Sequence, residues 1–370
     1  ASAKAMEDIA FDKMDTAAPL VYFIVGFSLF FAFVNLLSIT FVVLILVGCS
    51  LLVTGLFPVD QKTALVAVLL FVFSYVLMGG TYAHAYTNTL QGVMMLGVTV
   101  VLFVQGYKYF GGDIGGALAR IGGDYAAAYN PSSSLYFDFF SVFVSGFVIT
   151  FALMLQPHIL TKVLYLRSER DIGLFIGTTV VVGALFTLML MIGFYARLAG
   201  LEIDAQDTVV REYLLHEFGS SAWGAYVLVF IFITLLAAGM STLDGILVSL
   251  SAMVVTDIVR PLTGSDKSGL ALSRWVLVAV GALGLALAWE PPPLIGLFAQ
   301  KGVYGLAAAS LVPVLFGVLV RRHIPLWVVV GAAAIGLGGH LLLNLALGVE
   351  NPAVSATWAI FAALAFGLAG

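Results

Sequence analysis

Ala237-Ala238-Gly239-Met240-Ser241-Thr242-Leu243-Asp244-Gly245 lies in the middle of an apolar run from 224 to 257. As a straight helix that run is about 51 Å long, against roughly 30 Å of hydrocarbon in a bilayer. It must therefore tilt or kink, and Gly239 is the expected place for a break that frees backbone carbonyls. Small residues on either side let a neighbouring helix approach closely. Ala238, Ser241 and Thr242 stand at i, i+3 and i+4 and share one face. A carbonyl and two hydroxyls form a hard-oxygen set suited to a small hard cation, by extension from calcium and magnesium sites. The competing reading is that Ser241 and Thr242 bond back to the carbonyl one turn earlier, and spacing alone favours it. Asp244 belongs to the same stretch, and an ionisable group at that depth is a candidate for function or a member of a local hydrogen-bond network.

Outward from this helix, apolar runs recur near 19–38, 41–57, 65–79, 84–105, 139–161, 173–198, 270–289, 295–320, 325–348 and 353–369. The chain is 62% hydrophobic and 10% charged, with a mean hydropathy of +1.10. Soluble domains carry about 25% charged residues, so the solvent of this chain is lipid and the fold is an all-α polytopic membrane protein of about eleven transmembrane helices. The runs do not alternate polar and apolar residues, which excludes β-barrel strands. Cys49 is the one cysteine, so no disulfide forms within the chain. Residues 1–18 are mixed in charge and unlike a cleavable signal.

Charge sets an orientation. Lys162, Arg167 and Arg170 crowd one loop, Arg260 and Lys267 another, and Arg321 and Arg322 a third. The intervening loops carry Glu202, Asp204, Asp207, Glu212 and Glu217, and Glu290. The positive-inside rule places 162–172, 258–269 and 321–324 in the cytoplasm and, counting back, 106–138 and the N-terminus outside. Between 38 and 41 two apolar runs meet without a polar loop where this orientation requires a cytoplasmic turn. A segment missing there is the expectation, with one long bent helix as the alternative.

Gln156-Pro157-His158 ends the run 139–161, and Pro157 favours a break that exposes polar groups at membrane depth. Gln156 is a candidate for a polar solute or for interhelical hydrogen bonding. Gln300-Lys301 begins the run 295–320, where Lys301 must snorkel or face a wet cavity. His84 and His340 are read as bonding to neighbouring helices. No cysteine, histidine and carboxylate spacing fits a metal site, and the 39 glycines form no phosphate loop.

Several stretches together resemble the sodium/solute symporter family, in that family's order. Ser74-Tyr75-Val76-Leu77-Met78-Gly79-Gly80 with Thr87-Asn88-Thr89-Leu90-Gln91 is similar to its Tyr…Gly-Gly…Thr-Asp-x-x-Gln signature. Gln156-Pro157-His158-Ile159-Leu160 resembles its sixth core helix. Ser241-Thr242-Leu243-Asp244-Gly245, with Thr256-Asp257-Ile258-Val259-Arg260, resembles its eighth, and Pro291-Pro292-Pro293 with the run from Gln300 to Arg322 its tenth.

The resemblance implies a LeuT-like fold of two inverted five-helix repeats around a midplane site. An incomplete first repeat would occupy 19–105 (core helices two to five) and the second 139–322, followed by two further helices over 323–370; the first core helix has no counterpart. It implies sodium ligation by Ala238, Ser241 and Thr242, and substrate contact at Gln156 and Gln300. Asn88 stands where many relatives have aspartate, so Asn88 and Asp244 are ion-path candidates and the sodium stoichiometry is open. The implied activity is sodium-driven import, across a bacterial inner membrane, of a small polar solute such as proline, a monocarboxylate or pantothenate. The chain would be a carrier rather than an enzyme, with sodium as its only ion cofactor, and with the bilayer and a small solute, not nucleic acid, as its partners. The alternatives are a proton-coupled carrier, a sensor of this fold joined to a histidine kinase, which a long extension after Gly370 would mark, and a proton-pumping redox subunit, for which Asp244 and Lys301 are too few charges.

Overall fold

The computed structural model describes residues 36–78, 81–155, 166, 168–260, 269–320 and 324–370. In chain order the helices are α1 (Ile39–Leu56), α2 (Gln61–Val76), α3 (Thr81–Tyr107), the short α4 (Ile114–Ile121), α5 (Ser145–Met154), α6 (Glu169–Thr187), α7 (Ile192–Leu198), α8 (Val209–Phe218), α9 (Ala222–Met253), α10 (Gly269–Ala288), α11 (Ile295–Leu319), α12 (Leu326–Leu341) and α13 (Pro352–Ala369). Eight helices among the described residues are long and apolar enough to cross a membrane, and two shorter apolar helices, Gln61–Val76 and Phe140–Met154, join them. These account for every expected span except 19–38, of which only 36–38 is described. A 3-10 turn at Leu36–Ser38 runs directly into α1. The run before that junction lies outside the described residues.

Helix starts follow the sequence. Asp60, Ser168, Ser221 and Asn351 each accept a backbone N–H of the first turn of α2, α6, α9 and α13, and Pro352 occupies the first turn of α13. The loops hold what apolar runs could not reveal, namely α4 and α8, which lie outside the membrane-length spans.

α1 is the hub, packing against α2, α9, α10 and α11. Val42, Val43, Leu46 and Val47 are buried against Leu65, Leu243, Leu247 and Leu277. Lipid gives helices no hydrophobic reason to associate, so close approach at small residues must supply the contact. Gly284 lies against Val42, Gly281 against Phe73 and Gly302 against Thr40, each too near to leave room for a methyl group. Trp223 and Trp289 at one set of helix ends, and Trp275 and Trp327 towards the other, are exposed as interfacial anchors.

On the side assigned outside, α8 is fastened to the end of α3. The Glu217 carboxylate, 3% exposed, pairs with the Lys108 ammonium. It also accepts hydrogen bonds from Gln105 Nε2 at 2.6 Å and Tyr109 OH at 2.7 Å. Burial pushes this carboxyl up, but the bonds from Lys108, Gln105 and Tyr109 outweigh it and hold it below the ordinary carboxylate range. A depressed folded-state pKa stabilises the fold above the unfolded carboxylate range, and that contribution disappears as pH falls through the folded value. Glu217→Gln should thus lower the thermal midpoint at pH 7, at a cost of about 1–2 kcal/mol. The gap from the parent protein should close as the pH is lowered, and a gap independent of pH would contradict the ionised assignment.

Candidate functional site

α9 passes through Gly239 as one unbroken helix from Ala222 to Met253. The expected break is not there. The irregularity lies further on, in a π-helical stretch at Val254–Val259. Gly239 serves instead as a point of close approach: a Cβ on it would lie 2.5 Å from Cys49 Sγ on α1. Gly239→Ala should destabilise the protein by about 1–3 kcal/mol, and Cys49→Ala, by removing the sulfur, should recover most of the loss in a double-mutant cycle of thermal midpoints. Additive effects would separate the two residues.

The three oxygens converge without a break. Ser241 Oγ and Thr242 Oγ1 each donate to Ala238 O at 3.0 Å. Back-bonding therefore holds in this structure, and it bears on cation chemistry. The Ala238 carbonyl, which already accepts its helical N–H, is saturated, so it is the poorest of the three ligands as it stands. The hydroxyls have spent their hydrogens on that carbonyl, which leaves their lone pairs directed outward as acceptors. Ser241 and Thr242 could supply two oxygens of a small cation's ligand shell, and Ala238 O would join only if the hydroxyls turned away. The stripe bearing these groups is partly open: Ser241 is half-buried, Thr242 exposed, and a Cβ at Gly245 would meet nothing within 4 Å. The adjacent face, with Leu243, Asp244 and Leu247, is buried.

Asp244, 5% exposed, is held on that buried face. Tyr75 of α2 donates its OH to Met240 O at 3.1 Å and reaches the Asp244 carboxyl. Tyr75 thus ties the signature stretch of α2 to the turn of α9 that carries the hydroxyls. Its position in the motif was legible in the sequence; its partner was not. Asn88 is half-buried on α3, a helix that packs on α9, and both Asn88 and Asp244 are engaged with neighbouring groups.

Gln300 is half-buried near the start of α11. α9 and α11 both pack on α1, so α1 links the hydroxyl pair to Gln300. α11 begins at a strained point: Leu294 has φ 56°, the one positive φ outside glycine among the described residues. Asp207 Oδ2 accepts the Ile295 N–H across the fold at 3.2 Å. Gln156 and Pro157 lie outside the described residues. No group of histidine, cysteine, aspartate and glutamate that could hold a metal ion occurs among the described residues.

Comparison with known proteins adds the family context. The family model described as "Sodium:solute symporter family" matches residues 6–325. The high-affinity proline transporter PutP of Bacillus subtilis is 27% identical over 315 residues, covering 78% of this chain and 62% of that protein. The sodium/pantothenate symporter of Haemophilus influenzae is 24% identical over 306 residues, covering 80% and 61%. That of Escherichia coli is 25% identical over 330 residues, covering 87% and 65%. The chain therefore spans less than two thirds of the length of these relatives. Among solved structures, a Na+-coupled sialic acid symporter in a substrate-bound outward-open state aligns with a TM-score of 0.65 at 18% identity, over 91% of this chain and 73% of that one. The likeness extends to the all-helical, LeuT-like fold.

Proposed function

The chain belongs to the sodium:solute symporter family, and from that premise we propose that it carries a small polar organic solute across the plasma membrane, coupled to sodium. The supporting observation is the pair of hydroxyls, Ser241 and Thr242, donating to Ala238 O at 3.0 Å on a partly open stripe of α9. Their lone pairs supply neutral hard oxygens, which bind a small monovalent cation without the desolvation cost of a buried carboxylate.

In the proposed mechanism sodium at this pair stabilises the outward-open arrangement. Solute then binds along the α1–α11 side at Gln300, and the family resemblance offers Gln156 as a second hydrogen-bonding group. Rocking of one repeat against the other releases sodium and solute inward. Coupling is the difference in sodium affinity between the two states, about 1–3 kcal/mol. Asp244, held by Tyr75, is proposed to lie on the route of ion release, and the neutral Asn88 favours a single sodium at the α9 pair. The named relatives carry proline and pantothenate, so an amino acid or a hydroxy-acid amide heads the panel of solutes. No arginine is in place on α9 or α11 to clamp a carboxylate, so an acidic solute would rest on hydroxyls or helix ends.

The test is uptake of labelled proline, pantothenate and short monocarboxylates into proteoliposomes, with an inward sodium gradient, an inward proton gradient, or neither. Uptake of one class that requires the sodium gradient is expected. Accumulation driven only by protons, or none with any solute, would refute the assignment.

A further inference from the structure

We propose that His340 is a positioning residue: through the Lys301 carbonyl it sets the orientation of the α11 turn that carries Gln300. The proposal rests on the reading of Gln300 as a solute contact and gives a task to α12 and α13, which follow the two proposed repeats. His340, on α12, is 0% exposed. Its Nε2 lies 2.9 Å from Lys301 O and its Nδ1 3.0 Å from Ser355 Oγ on α13.

Donor accounting fixes the tautomer. A carbonyl only accepts, so Nε2 carries hydrogen and donates to Lys301 O. Ser355 has one hydrogen to give, with Nδ1 at 3.0 Å and Pro352 O at 3.1 Å competing for it. Giving it to Pro352 O would leave the Nδ1 lone pair facing that of Oγ, or would need hydrogen on Nδ1 too and hence a charged ring sealed from water; both are costly. The neutral arrangement is Ser355 O–H to Nδ1 and Nε2–H to Lys301 O, a relay that runs from α13 through α12 to α11.

The same turn is gripped from its other side. Thr40 Oγ1 on α1 lies 3.2 Å from Ala299 O and 2.8 Å from Leu37 O. A Cβ on Gly302 would lie 2.3 Å from Thr40 Oγ1 and 2.8 Å from Leu37 O, so α11 meets the backbone of the 3-10 turn that leads into α1. Gln300 thus sits between two carbonyls that neighbouring helices engage: Lys301 O takes the His340 hydrogen, and Ala299 O shares the single Thr40 hydrogen with the nearer Leu37 O. Such bonds tilt carbonyls outward and fix the roll of a turn.

Cys49, the one cysteine, is buried, so Gln300→Cys can be labelled selectively in the reconstituted full chain with a water-soluble methanethiosulfonate. Adding His340→Ala should change the labelling rate about fivefold. His340→Gln, whose amide can still donate to Lys301 O, should return it to within about twofold of the parent. If His340→Ala does not reach the membrane, Ser355→Ala, which removes the hydroxyl that selects the tautomer, should shift the rate in the same direction. An unchanged rate in the folded variants overturns the proposal.

In uptake assays His340→Ala should raise the solute KM about tenfold with the sodium half-saturation unchanged, and should add nothing in a Gln300→Ala background. Additive effects there overturn the proposal as well. A parent protein without sodium-driven uptake would sink the transport reading alone, because the labelling experiment still decides the role of His340.

Discussion

Sodium-driven uptake, if the proposed coupling holds, should fall to the no-gradient background when Ser241→Ala and Thr242→Ala are combined. Each hydroxyl is a neutral oxygen whose hydrogen is already committed to Ala238 O at 3.0 Å, which leaves its lone pairs for the ion. A hydrogen-bond-like contact to a full charge is worth about 1.5–3 kcal/mol. Each single substitution should therefore raise the sodium half-saturation concentration by about tenfold or more, and the pair should carry it beyond any usable gradient. The fold should scarcely notice. The back-bonds are supplementary to the helical N–H on that carbonyl, and back-bonded hydroxyls do not strengthen a helix. Thr242→Ser, which keeps the oxygen and loses only a methyl group, should retain sodium dependence. Solute binding measured at equilibrium without sodium should change little in any of these variants. A double variant that still concentrates solute on a sodium gradient would remove the ion from α9 and leave the two hydroxyls as helix furniture.

The sequence was a good guide wherever one physical rule dominated. Hydrocarbon thickness sets span length, so the runs at 270–289 and 353–369 reappear as α10 and α13 with ends moved by a residue or so. Gly239 misled because glycine has two uses in membrane helices. It can mark a break, or it can admit a neighbour, and only the position of Cys49 on α1 distinguishes them. The hydroxyl pair and its back-bonding were legible from spacing, yet the convergence of both hydrogens on the one carbonyl of Ala238 was not, because it depends on rotamers. Tyr75 and Asp244 stood in readable motifs far apart in sequence, and their meeting is a consequence of how α2 packs on α9. His340 was read correctly as a residue that bonds to neighbouring helices. Its partners, Lys301 O and Ser355, follow from the way α12 lies between α11 and α13, which no local pattern encodes. α4 and α8 were missed because they are short helices inside polar loops, where hydropathy carries little signal.

The second large effect is expected at Gly336, on α12. A Cβ there would lie 2.1 Å from Ala308 O and 2.7 Å from Ala308 C, both backbone atoms of α11. No rotamer relieves a clash made by the Cβ itself, and a helix backbone does not yield locally. α12 must therefore move away from α11 as a body, at a cost of about 3 kcal/mol or more. That displacement would also pull on the 2.9 Å bond from His340 to Lys301 O, one turn along the same interface. Gly336→Ala should accordingly lower the thermal midpoint of the detergent-solubilised protein sharply, and reduce the folded fraction recovered from membranes. Gly338 supplies the control, two residues along the same helix and exposed, where an added Cβ meets nothing within 4 Å. Gly338→Ala should be neutral or slightly stabilising, by about 0.5–1 kcal/mol, since alanine favours the helix over glycine. Equal midpoints for the two variants would mean that α11 and α12 are not in backbone contact, and the fixed turn at Gln300 would lose its support along with them.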